Sequence, residues 1–170
     1  MEQDDLRRLQ APLKEKYRDD PGSAVVTLRA SGRLGDEEVS CSVATGSALV
    51  DAGLHPASGG DGTLACSGEM LLEALVACAG VTLRSVSTNR GLDVHGSVRA
   101  EGDLDFRGTL GVDREAPVGF REIRLTFDLE GSASDADLDA LVSATERYCV
   151  VLQTLARAPR IQVARDGPTL

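Results

Sequence analysis

Hydrophobic positions recur on two periods along this chain, and the switches between them divide it into elements. Between Gln3 and Asp19 the residues are largely charged, with Leu6, Leu9, Leu13 and Tyr17 at helical spacing. Pro12 interrupts that pattern, so the helix is expected to start near it or bend there. Ala24–Ala30 and Val39–Ala44 read as strands joined by a turn, SGRLGDEE, and a further short strand is expected over Ser47–Ala52. The stretch GLHPASGGDG is a loop by composition. Cys66 or Ser67 then opens a helix that runs to about Asn89 and stops at Gly91. From Met70 to Leu83 its one charge is Glu73.

Leu92–Leu104 and Gly119–Glu130 read as two longer strands, the second alternating through Ile123, Leu125, Phe127 and Leu129 after Phe120. The connector between them, DFRGTLGVDREAPV, is rich in turn residues. Asp135–Tyr148 has the spacing of an amphipathic helix capped by Ser134. Cys149–Ala158 reads as one more helix, and Arg160–Ala164 as a last strand. This order predicts an α+β fold with a largely antiparallel sheet, one domain over residues 1–170 with residues 1–20 as a helical extension.

The central helix poses a physical problem, because a helix that is apolar nearly all round must be covered on most sides. A single sheet covers one side, and the other helices are short. A second copy of the chain would cover the rest, so a homodimer is expected.

Composition narrows the function. The chain has 170 residues, 42% apolar but only 3% aromatic and without Trp, so the core must come from Leu, Val and Ala. Its 18 basic and 27 acidic residues give a net charge of -9, which argues against nucleic acid or an anionic membrane surface as partner. No apolar run is read as reaching the roughly 18 residues of a membrane span. The start, MEQDDLRRLQ, is polar and acidic rather than a secretory leader, so a cytoplasmic location is expected. In that compartment cysteines 41, 66, 78 and 149 are more readily reduced, catalytic or metal-bound than a disulfide frame. Without a Cys-x-x-Cys or a nearby His pair, zinc is disfavoured.

Two of these thiols carry the candidate chemistry. Cys78 reads either as a small hydrophobe in a buried helix or as a peroxidatic thiol. The second role needs a thiolate, hence a cation or donor beside the sulfur. Its neighbours at helical spacing, Ala74, Leu75, Val81 and Thr82, supply none, so the activator must come from elsewhere. Cys149 follows Glu146, Arg147 and Tyr148 at the start of the next helix. There it reads equally as a junction residue or as a thiol whose pKa the helix N-terminus lowers. Glu73 lies about 140° around the helix from Cys78, too far for acid–base work on it. His55 reads as a turn residue.

The phrases SGEMLLEALVACAGVTL and TERYCVVLQTL, preceded by HPASGGDG, resemble the OsmC/Ohr family of osmotically inducible protein C and the organic hydroperoxide resistance proteins. The likeness runs from about Ala24 to Val163. It implies an intertwined homodimer, with two central helices wrapped by sheets, and thiol-dependent reduction of organic hydroperoxides. By this resemblance Cys78 matches the peroxidatic cysteine and Cys149 the resolving one. Gly32-Arg33-Leu34-Gly35 stands where the family has its Gly-Arg-x-Gly turn, so Arg33 matches the catalytic cation. The family glutamate that holds this arginine falls on Gly68 here, with Glu69 one step later. Cys149-Val150 replaces the usual Cys-Pro, and Cys41 and Cys66 are additional thiols, Cys66 placed to compete for an oxidised Cys78. No metal, flavin or haem cofactor is implied; an external dithiol, such as a lipoyl-bearing protein, would return the electrons. The shifted glutamate and absent proline keep a second reading open: an OsmC-like dimer that binds a thiol or apolar small molecule without turnover.

Overall fold

The computed structural model describes residues 3–20, 32–34, 40–45 and 48–165. Its elements are α1 (Gln3–Asp19), β1 (Gly32–Leu34), β2 (Ser40–Thr45), β3 (Ala48–Gly53), β4 (Ala65–Cys66), α2 (Ser67–Arg90), β5 (Val94–Leu104), α3 (Phe106–Thr109), β6 (Phe120–Gly131), α4 (Asp135–Tyr148) and α5 (Val150–Ala156). The described strands form two sheets. In one, β1, β2, β3 and β4 lie side by side, the first three antiparallel and β4 parallel to β3. In the other, β5 and β6 pair antiparallel from Val94 opposite Gly131 to Leu104 opposite Phe120, with an irregularity at Asp103 and Leu104.

Helix α2 is the spine against which the second sheet and the C-terminal helices pack. It begins at Ser67, directly after the extended Cys66, and ends where Gly91 takes the left-handed conformation, φ 68°, that a side chain would strain. Leu75, Ala79, Leu83 and Ser87 form its buried stripe at four-residue spacing. Leu75, Ala79 and Cys149 make one core cluster, onto which Val98, Ala100, Ile123 and Leu125 pack. Leu83, Val94 and Leu141 make a second, and Phe127 touches both. Full burial of a leucine such as Leu75 is worth about 2–3 kcal/mol. The period-two pattern is visible directly: Val98 and Ala100 point inward, while Arg99 and Glu101 are exposed.

Among the described residues, part of the helix surface stays uncovered. Leu71 is 38% exposed and Val81 72%, so within one chain α2 is not the fully buried helix that its composition predicts. Contrary to the expectation from its apolar runs, it is also long and apolar enough, over an 18-residue window, to pass as a membrane span by length and composition.

Other expectations are revised by local geometry. Helix α1 continues through Pro12 without ending there, and Gln3 ties it to α2 through a 2.8 Å hydrogen bond to the Asn89 carbonyl. The expected strand Ala24–Ala30 lies outside the described residues. Gly32–Leu34, read as turn, instead pairs with β2. The connector after β5 folds its first residues into α3, capped by the Asp105 carboxylate, which accepts from the Arg107 amide at 3.1 Å. Residues 160–164 form no strand. An extended segment needs a neighbouring edge to satisfy its backbone, and Ile161 and Val163 are instead 76% and 93% exposed.

Candidate active site

Cys78 lies between Leu75 and Ala79 on α2, half-buried and packed against the cluster that contains Cys149. Cys149 reaches it from the break between α4 and α5. It is the last cap of one helix and the first of the next, with an extended backbone (φ −72°, ψ 109°). Its N–H donates to the Thr145 carbonyl and its own carbonyl accepts from the Gln153 N–H, each at 2.9 Å. Its side chain is fully buried. Both residues are free thiols here.

The two sulfurs are not equivalent. Burial pushes the Cys78 thiol up, but the amide of Val151, the Cys149 thiol, the amide of Val150 and the Thr82 hydroxyl together pull it below the ordinary thiol value. Thr82 is the weakest of these, since its one proton goes to the Cys78 carbonyl at 2.7 Å. Burial likewise pushes the Cys149 thiol up, and there the hydrogen bond and charge at Cys78 add to it, against the Leu152 and Val151 amides. The physical sense is that Cys78 takes the negative charge and Cys149 keeps its proton. This revises one expectation: the start of α5 lowers the pKa of Cys78 across the gap, while at Cys149 its amides are outweighed by burial and by Cys78, and the resolving candidate is buried rather than exposed to partners.

Arg33 lies in β1 opposite Ser42; its side chain is outside the described residues, as is that of Cys41. Glu69 stands in the first turn of α2, exposed, roughly 13 Å along the axis from Cys78 and on the opposite side of the helix. Glu69 and Glu73 line a cavity of about 520 Å³ with Leu72, Val76, Ala77 and Ala100. Ala100 also packs in the Cys78 cluster. Leu75 is core and does not line the cavity. Cys66 caps the start of α2, roughly 18 Å along the axis from Cys78, too far to compete with Cys149. His55 is a turn residue: its Nδ1 accepts from the Ala57 N–H at 3.0 Å and its ring stacks on Phe106. Among the described residues no three His, Cys, Asp or Glu side chains gather as a metal site.

A family model for OsmC-like proteins matches residues 60–164, more than half the chain. The chain belongs to the OsmC-like protein family. A comparison with curated proteins returns no match. Among solved structures, an OsmC-like protein from Mycoplasma pneumoniae superimposes with a TM-score of 0.66 at 16% identity, over 78% of this chain and 89% of its own. The organic hydroperoxide resistance protein OsmC of Legionella pneumophila, also described as a predicted redox protein, gives 0.56 at 19% identity over 79% and 92%. The organic hydroperoxide resistance protein OhrB of Bacillus subtilis gives 0.52 at 19% identity over 79% and 93%. At these identities the likeness establishes the mixed α/β OsmC-like fold.

What residue types alone did not reveal in this OsmC-like protein is the role of Val150 and Val151. They act through backbone amides, which every residue but proline carries. The available signal was positional: a cysteine at a helix junction implies unpaired amides immediately after it.

Proposed function

We propose that this OsmC-like protein reduces organic hydroperoxides through Cys78 and Cys149. The observation that carries the reading is their juxtaposition with opposite protonation preferences. The Cys78 thiolate attacks the terminal oxygen of the hydroperoxide; the O–O bond breaks and the alkoxide leaves as the alcohol after taking a proton. Cys78 is then a sulfenic acid. The Cys149 thiol condenses with it, forming a disulfide and releasing water. An external dithiol, a lipoyl-bearing protein by family likeness, reopens the bond by exchange and is itself oxidised to a disulfide. Arg33 is the matching cation, held by Glu69. No cofactor enters this cycle, which suits the reducing cytoplasm.

The working unit in this proposal is a homodimer, each protomer one OsmC-like domain with α1 as an extension. The exposed Leu71 and Val81 on α2, and Ile161 and Val163 in the tail, support it, because apolar groups at such exposure favour a covered position. The test is consumption of cumene hydroperoxide by wild type and Cys78→Ser: turnover that survives the substitution would remove Cys78 from the mechanism.

A second reading rests on the cavity. Its apolar floor of Leu72, Val76, Ala77 and Ala100 suits a small apolar ligand bound without turnover. A protein of that kind forms no sulfenic acid at Cys78 on exposure to peroxide.

A further inference from the structure

A continuous helix from α4 into α5 would send the Val150 amide to the Glu146 carbonyl and the Val151 amide to that of Arg147, four residues back. The extended backbone of Cys149 prevents both. The two released amides lie beside Cys78 and lower its pKa. One non-helical residue therefore converts two helix-forming donors into the groups that favour the thiolate.

Such a break needs something to hold its angle. Gln153 spans it. Its backbone N–H donates to the Cys149 carbonyl at 2.9 Å, forming the first turn of α5. Its side-chain Nε2 donates to the Glu146 carbonyl at 2.7 Å, the same oxygen that lost the Val150 amide. One residue thus grips the chain on both sides of Cys149 and replaces the hydrogen bond removed by the break. The Glu146 carbonyl is near solvent, so water would satisfy it equally well. What the side chain adds is orientation rather than stability.

We propose that Gln153 is a positioning residue: by closing onto the Glu146 carbonyl it fixes the bend at Cys149 and keeps the Val150 and Val151 amides directed at Cys78. The inference rests on the proposed role of Cys78, but its test does not use peroxide. Among the described residues the titratable group facing Cys78 is Cys149. The side chains that β5, β6 and α5 pack into the same cluster, Val98, Ile123, Leu125 and Leu152 among them, are apolar.

The experiment is peptide-resolved alkylation of Cys78 by iodoacetamide as a function of pH, at high salt to screen surface charge, in the full chain. Gln153→Met keeps length and helix propensity but removes the donor. Its Cys78 midpoint should rise by about half a pH unit, so that alkylation slows roughly three-fold at pH values below the midpoint, with Tm unchanged. Gln153→Lys, which again offers N–H groups to the carbonyl, should restore the wild-type profile. A Met profile that overlays wild type, or a Lys variant that fails to restore it, overturns the proposal. So does unfolding of the Met variant, because a positioning role leaves stability intact. Wild-type protein that alkylates as expected but consumes no hydroperoxide would sink the peroxidase reading and leave this one standing.

Discussion

Cys78 and Cys149 meet with their ionisation displaced in opposite directions, and part of each displacement is caused by the other. The Cys149 S–H lowers the Cys78 pKa by hydrogen bonding to it. The charge that forms on Cys78 in turn discourages ionisation of Cys149. Cys149→Ala should therefore raise the pH midpoint of Cys78 alkylation, while Cys149→Ser, whose hydroxyl still donates, should stay near wild type. Equal shifts in both variants would mean that the pairing is packing alone. The stability consequence has a definite sign. Because the Cys78 pKa is depressed by folding, its contribution is present above the unfolded thiol value and is lost as pH falls through the folded value. The raised pKa of Cys149 does the reverse, contributing below the unfolded value and fading as pH rises through the folded one.

Trapping separates catalysis from binding. With Cys149→Ser exposed to cumene hydroperoxide, dimedone should label Cys78, because the sulfenic acid has no second thiol with which to condense. With Cys78→Ser the label should be absent from Cys149, whose thiol is protonated and buried. Mass spectrometry of the labelled peptides reads both outcomes. An unlabelled Cys78 favours the binding reading.

The sequence carried the scaffold better than the chemistry. Asp135–Tyr148 matches its helix residue for residue because Ser134, the acidic first turn and the apolar stripe all agree on one period. The strands β5 and β6 were legible from alternation for the same reason. Gly32–Leu34 was not, since three residues with two small or polar neighbours carry no period, and their pairing with β2 is set by tertiary contact. The tail over 160–164 has strand spacing but pairs with no strand among the described residues, so pattern and structure part company there. Cys78 and Cys149 stood out as residues; the reason why one ionises before the other did not, because it lies in main-chain amides and in a one-residue break.

The β5–β6 ribbon makes its own demand on backbone conformation. Gly96 sits opposite Leu129 at φ 138°, and a Cβ there would run into the Asp128 carbonyl. Both the torsion and the contact exclude a side chain. Gly96→Ala should cost about 2 kcal/mol, which in a chain of this size lowers Tm by roughly 4 to 8 °C. Thermal unfolding followed by circular dichroism measures it. A Tm equal to wild type would show that the ribbon bends freely at this point.

The exposed face of α2 yields the most direct test of assembly. Val81 lies on the side away from the buried stripe of Leu75, Ala79 and Leu83, and is 72% exposed in one chain. If a second protomer covers it, Val81→Glu would place a carboxylate in an apolar contact without a partner, where desolvation costs several kcal/mol. If nothing covers it, the same carboxylate stands in water and changes little. Light scattering on the variant and on wild type should therefore show a dimer converted to a monomer, with far-ultraviolet circular dichroism retained because the intrachain core does not include Val81. A wild-type monomer, or a variant that remains dimeric, would place the interface elsewhere or remove it. The same pair of proteins also asks whether the site works alone: if hydroperoxide turnover disappears with the dimer while Cys78 still alkylates at its usual pH, the partner supplies substrate contacts, and the thiolate is made entirely by the chain that carries it.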